Sequence, residues 1–359
     1  MGLHLCHVRV ARPLVIGLLS ALTGCTPLGL HTTDFERPTV RSGLQEAGIA
    51  DRQAEFSQRF CANYTRFAKP GAQACERWLS GAIPSAQAPP SAIPHPADRI
   101  RSIVIIPGIF GECVSQWVTP FSHDHQYLES LGYKVHVIAV SGRGSSEQNA
   151  AIIHRFFDAN VIERALVVGY SKGATDFMQA AAQPAAQDWS PRIAAFVSFA
   201  GVVNGTPLAS RGDNLYAHLA DVRTKWCGPS DGGGVESLTY QFATRTAAAF
   251  GRTRKAYPSF SVAAVGDPAA INPVLAGTYA LMTKLDQRND GQVLVEDAIV
   301  PGSTFLGAFK ADHWSIVLPF EDSDAAAMRK FSKNNHFPRR ALITSVIEFV
   351  SQQLPGVNE

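Results

Sequence analysis

From residue 101 the chain alternates short, almost wholly apolar runs with stretches in which apolar residues recur every three or four positions. The apolar runs are "RSIVIIPG" (101–108), "YKVHVIAVSG" (133–142), "RALVVGYS" (164–171), "RIAAFVSFAG" (192–201), "SFSVAAVGD" (259–267) and "STFLGAFKAD" (303–312). Such runs, rich in β-branched residues and closed by Gly, Pro or Asp, predict strands buried on both faces, as in a parallel sheet. Helical spacing predicts helices over 120–131, 147–160, 172–183 and 339–354. Strands alternating with helices predict an α/β fold with a mostly parallel central sheet flanked by helices. The connection 202–258 is too long for a plain crossover and predicts a cap insertion over the sheet. Its segment "WCGPSDGGGVES" (226–237) has the composition of a flexible loop.

The first hundred residues read differently. Residues 51–80 place Phe56, Phe60, Tyr64 and Phe67 at helical spacing, which predicts a small helical pair. Residues 81–98 hold five prolines and read as a linker. Residues 25–50 are polar without sustained periodicity and read as a tether. At the N-terminus, Arg9 and Arg12 precede the apolar run Leu14 to Leu22. That run is shorter than the roughly 20 residues needed to span a bilayer, and small residues follow it, so 1–24 reads as an export signal. "Leu22-Thr23-Gly24-Cys25" resembles the lipobox of bacterial lipoproteins. The resemblance implies lipidation of Cys25, a membrane anchor and, with the non-acidic Thr26, sorting to the outer membrane. An ordinary signal peptide with an incidental cysteine is the alternative. The expected organisation is therefore a signal over 1–24, a tether, small helical segment and linker over 25–98, and one α/β domain over 99–359 with its cap at about 202–258.

Composition narrows the classes. Charged residues make up 17% of the chain, below the roughly 25% of soluble domains, which fits a largely buried domain. The net charge is +2, and both arginines of 1–24 leave with a signal, so no basic patch points to nucleic acid. In an oxidising compartment Cys61, Cys75, Cys113 and Cys227 form an even set with three connectivities. The most local joins Cys61 to Cys75 and leaves Cys113 with Cys227.

The candidate chemistry centres on "Gly169-Tyr170-Ser171-Lys172-Gly173", placed between an apolar strand and a helix former run, "ATDFMQAAA". A serine hydroxyl is a poor nucleophile until a base takes its proton and donors hold the oxyanion. G-x-S-x-G at a strand-to-helix turn is the nucleophile elbow. Here residues 100–355 resemble the α/β-hydrolase superfamily, in its lipase and carboxylesterase branch. The resemblance implies Ser171 as nucleophile. "IIPGIFGE" (105–112) is similar to the loop after the first central strand, with Pro107 where the family has histidine. It implies an oxyanion hole from the backbone N–H groups of Ile109, with Phe110 as the runner-up, and of Lys172. The Lys172 side chain is expected at the solvated surface. "GTPLA" (205–209) is similar to the segment after the sixth superfamily strand.

The family order is Ser, acid, His. Only His313 and His336 follow a plausible acid, and His313 is favoured because it comes three residues after a predicted strand. "RNDGQV" (288–293) resembles the Asn-Asp-Gly segment of lipases and implies Asp290 as the acid. Asp267, at the end of "SVAAVGD", is the rival. His123 and His125 stand at i and i+2 on a predicted helix and do not face each other, so no metal site is expected, and the chemistry needs no cofactor. The reading is a serine hydrolase that cleaves small-molecule or lipid esters through Ser171, Asp290 and His313. An acyltransferase or amidase with the same triad is one alternative. A non-catalytic binding lipoprotein of the same fold is another.

Overall fold

The computed structural model describes residues 48–81, 99–210, 227–253, 257–323, 329 and 336–355. The expected signal, Cys25, most of the tether, the proline-rich linker and part of the expected cap lie outside the described residues. All six apolar runs are strands: β3 (Ser102–Ile106), β4 (Lys134–Val137), β5 (Ala165–Tyr170), β6 (Ile193–Phe199), β7 (Ser259–Val265) and β8 (Thr304–Lys310). They run parallel. Two short strands, β1 (Ala50–Asp51) and β2 (Leu79–Ser80), complete the sheet, in the order β1-β8-β7-β6-β5-β3-β4 with β2 also on β8.

The uninterrupted hydrophobicity of these runs has a direct cause. Along β3, Ile103 and Ile105 enter one apolar layer while Val104 and Ile106 enter the other. Along β5, Leu166, Val168 and Tyr170 face the first layer and Ala165 and Val167 the second. A strand whose two faces are both covered has no solvent side and hence no polar alternation. The first layer is covered by α1 (Gln53–Phe67), α2 (His125–Ser130) and α7 (Arg339–Gln353). The second is covered by α3 (Ser146–Ala159), α4 (Lys172–Ala181) and α5 (Tyr240–Arg252). α6 (Ala276–Thr283) lies in the excursion between β7 and β8.

Two expectations change. Residues 51–80 do not stand apart as a helical pair. They form one α-helix, α1, and a 3₁₀ turn at Cys75–Trp78, joined by the Cys61–Cys75 disulfide. Phe56 and Phe60 are fully buried in the main core, so the segment is built into the α/β domain. Within 202–258, α5 is a crossover helix: Ala247 and Phe250 pack with Phe177 and Phe196 in the second layer. Its N-cap is Thr239, whose side chain accepts from the Phe242 N–H. Any cap is thus confined to the stretch before 239.

Candidate active site

In an open parallel sheet the loops after the carboxyl ends of the strands form the ligand crevice. Ile109, Ser171 and His313 follow β3, β5 and β8 there, and Asp290 lies in the excursion between β7 and β8. β5 runs into α4 through Ser171, whose φ of 54° and ψ of −125° lie outside the regions open to an L-residue without strain. Such a conformation costs about 1–3 kcal/mol and persists only where its surroundings enforce it. The flanking glycines follow from the turn's tightness. A Cβ on Gly169 would stand 2.7 Å from the Ala174 Cα, and one on Gly173 would strike the Ile106 carbonyl oxygen. Gly108 lets the loop after β3 lie on the serine, because a Cβ there would be 2.7 Å from the Ser171 Cβ.

His313 follows the end of β8 by three residues. Its Nε2 is 2.8 Å from the Ser171 Oγ and its Nδ1 is 2.8 Å from the Asp290 Oδ2. Ser171 is 3% exposed, and Asp290 and His313 1% each. The Asn-Asp-Gly sequence reverses the chain: Gly291 has φ +94°, and Asn289 pairs with Leu294. That reversal turns the Gln292 and Val293 N–H groups onto the Asp290 Oδ1, at 2.8 and 2.7 Å. The carboxylate is therefore held on both oxygens. The His313 N–H donates to the Asp290 carbonyl at 2.9 Å. The Tyr170 hydroxyl donates to the His313 carbonyl at 2.9 Å, tying β5 to the histidine loop.

The rivals stand elsewhere. Asp267 is exposed, and its Oδ1 accepts from the Ala269 N–H at 2.9 Å in a local turn. His336 is exposed ahead of α7. The Phe110 N–H donates to the Gly142 carbonyl at 3.0 Å, so that donor is occupied. The Ile109 N–H donates to no backbone carbonyl among the described residues. Lys172 is the first residue of α4, and an N–H in that position has no intrahelical acceptor. Two N–H groups thus remain for a ligand on either side of Ser171. The His125 Nε2 lies 3.0 Å from the Pro120 carbonyl oxygen, and burial lowers the pKa of this imidazole. Among the described residues the one cluster with metal-ligand proximity is Cys61, Cys75 and Glu76, whose two sulfurs are bonded to each other.

Two surroundings of Ser171 differ from expectation. The Lys172 side chain is not at the surface. It is fully buried, with Nζ 2.6 Å from the Asp176 Oδ1. Asp176 also accepts from the Ser146 Oγ at 2.5 Å and the Asn149 Nδ2 at 2.7 Å. Burial pushes the Asp176 carboxyl pKa up, with Lys172 the foremost influence in the other direction. The spacing of Lys172 and Asp176, four apart on a helix, was readable as a pair. Its burial was not, because the residues that enclose the pair, Ser146 and Asn149, come from α3. The second difference is the loop 227–237, which is pinned. Cys227 is joined to Cys113 with the Cα atoms 4.4 Å apart. The Gly234 N–H donates to the Arg143 carbonyl at 3.0 Å, and Asp231 accepts from the Ser145 N–H at 2.7 Å.

No family model and no curated protein matches the chain. Solved structures do. The metagenomic carboxyl esterase MGS0156 is 29% identical, with 90% of this chain and 98% of that chain covered at a TM-score of 0.78. The lipase BlEst2 of Bacillus licheniformis, in its propeptide form, is 16% identical over 69% of this chain and 50% of that chain, at a TM-score of 0.50. The second likeness is one of fold; the first extends over nearly the whole of both chains. The parallel sheet, the strained serine at its elbow and this likeness make the chain an esterase- and lipase-like serine hydrolase of the α/β-hydrolase superfamily.

Proposed function

We propose that the protein hydrolyses carboxylic esters through Ser171, His313 and Asp290 by way of an acyl-enzyme. The observation that carries this is the buried relay of two 2.8 Å hydrogen bonds from the Ser171 Oγ through the imidazole to the Asp290 carboxylate. Ser171 attacks the ester carbonyl while the His313 Nε2 takes the hydroxyl proton. Asp290, held by the Gln292 and Val293 N–H groups, fixes the tautomer with the proton on Nδ1 and stabilises the imidazolium. The Ile109 and Lys172 N–H groups stabilise the oxyanion. His313 then gives its proton to the leaving alcohol, and a water repeats the sequence to free the acid and Ser171.

The substrates are small-molecule or lipid esters, supported by the likeness to a carboxyl esterase and by an apolar cluster around Ile109 that includes Leu208, Met282 and Leu294. The protein is anchored by lipid on Cys25, a reading supported by the sequence Leu22–Cys25 after its apolar run. Residues 1–24 are its signal and the α/β domain its catalytic body. Replacement of Ser171 by Ala is expected to remove ester hydrolysis by about 10⁶-fold and to abolish labelling by a fluorophosphonate probe. A variant that keeps both would end the assignment. Esters of graded acyl length define the chain preference, and Cys25→Ser is expected to impair signal processing and lipid anchoring, read by the mass of the N-terminus and by membrane partition.

A further inference from the structure

Lys172 occupies a position that stability does not explain. It is a cation at the N-terminus of α4, where the helix dipole disfavours positive charge. It is also fully buried, and a buried ion pair is a weak stabiliser compared with apolar groups of the same volume. What the side chain does is brace, through Asp176 and Asn149, the 141–142 loop that lies between the two walls of the site. One arm runs through Asp176 to Ser146 and Asn149 at the start of α3. Asn149 in turn holds both the N–H and the carbonyl of Ser141, each at 2.9 Å. A second arm reaches the Ile109 segment from the same loop through Gly142. The Glu112 Oε2 accepts from the Gly142 N–H at 2.5 Å, and the Gly142 carbonyl accepts from the Phe110 N–H. Phe110 is the residue after Ile109. The two arms meet in the 141–142 loop and enclose the segment that carries the Ile109 N–H.

We infer that the Lys172 side chain, through its ion pair with Asp176, is a positioning residue that keeps the Lys172 and Ile109 N–H groups in register around the oxyanion. The inference rests on the Ser171 reading above. It makes the residue after the nucleophile serve twice, its N–H as a donor and its side chain as the strut that aims it. A misplacement of about 1 Å in such a group costs about 100-fold in rate.

The test compares Lys172→Met with the double variant Lys172→Met/Asp176→Leu, with Ser171→Ala as a control. The readouts are melting temperature, the fraction of sites labelled at completion by a fluorophosphonate, and kcat and KM for p-nitrophenyl butyrate per labelled site. Lys172→Met strands the Asp176 carboxylate and is expected to lower the melting temperature. It is also expected to lower kcat per labelled site about 100-fold while KM moves less than about threefold. The double variant removes the stranded charge and is expected to recover melting temperature without recovering kcat. Should Lys172→Met fail to fold, the double variant decides alone. A double variant with wild-type kcat per labelled site would overturn the inference, as would a single variant whose whole loss lies in the labelled fraction. Either result beside an inactive, unlabelled Ser171→Ala leaves the triad reading standing. An active, labelled Ser171→Ala overturns that reading and this inference together.

Discussion

The rim of the sheet around Ser171 and the buttress where α1 meets α7 are built from the same parts. Each has a disulfide, Cys113–Cys227 at the rim and Cys61–Cys75 at the buttress. Each has a buried carboxylate held by several donors. At the rim Asp290 is held by His313 and two backbone N–H groups. At the buttress Glu348 is held by the Asn63 Nδ2 at 2.9 Å, with Arg66 at 3.4 Å and Arg59 at 3.6 Å. What differs is the neighbour. In the reaction proposed above, Asp290 holds a group that must change its protonation, while Glu348 joins two helices. The same bond therefore reads out as rate in one place and as stability in the other.

The comparison breaks most visibly at Asp290. Asp290→Asn is expected to lower kcat about 10⁴-fold near neutral pH by favouring the wrong imidazole tautomer, with little change in melting temperature. A large loss with Asp267→Asn and a small one with Asp290→Asn would move the acid to Asp267 while leaving the Ser171–His313 hydrogen bond in place. At the buttress the sign of the split reverses. Glu348→Gln is expected to cost about 2 kcal/mol in urea unfolding, the scale of hydrogen bonds to a buried charge, with kcat per folded molecule unchanged.

The disulfides sharpen the contrast further. Replacing Cys61 and Cys75 by Ser is expected to cost about 3 kcal/mol, as for a short closed loop, and to leave the ratio of activities on large and small esters unchanged. Replacing Cys113 and Cys227 removes the covalent tie between the 227–237 loop and the segment that follows Ile109, so the ratio itself should shift, bulky esters changing more than small ones. An unchanged ratio would mean that the bonds donated by Ser145 to Asp231, by Arg143 to Gly228 and by Gly234 to Arg143 are sufficient to hold it. The smallest effect belongs to Asp267→Asn, an exposed turn residue, expected within about 0.5 kcal/mol in stability and within a few-fold in kcat.

Much of this was legible in the sequence, and the limits have physical causes. The six long strands are apolar throughout because both faces are covered, and length and hydrophobicity suffice to find them. β1 and β2 have two residues each, too few for any period to show. α5 carried a readable signal, with Tyr240, Ala243, Ala247 and Phe250 on one face, but the length of 202–258 suggested an insertion instead. At the site, the Asn-Asp-Gly turn and the spacing of His313 from β8 pointed to residues that the fold brings within hydrogen-bond reach of each other and of Ser171. The Lys172 side chain lies elsewhere than expected because hydrophilicity is a property of the residue, and burial is one of the neighbours: Asp176, itself held by Ser146 and Asn149, accepts from the ammonium in place of water.

The edge of β8 carries a consequence for how the chain acquires this structure. β8 comes late in the sequence, yet its outer edge is closed by β1 and β2, Ala50 pairing with Thr304 and Leu79 with Phe309. Contacts between distant parts of a chain form slowly, since the intervening segment must be gathered before they are rewarded. During synthesis β1 and β2 have no strand to pair with until β8 exists, and β8 in turn presents a row of unpaired N–H and carbonyl groups until they arrive. Closure of this edge, where residues 50–80 meet β8, is therefore expected late in folding. A molecule arrested before that step would carry an open strand able to pair with its own kind, and removing residues 48–81 is expected to produce aggregates rather than a smaller active domain.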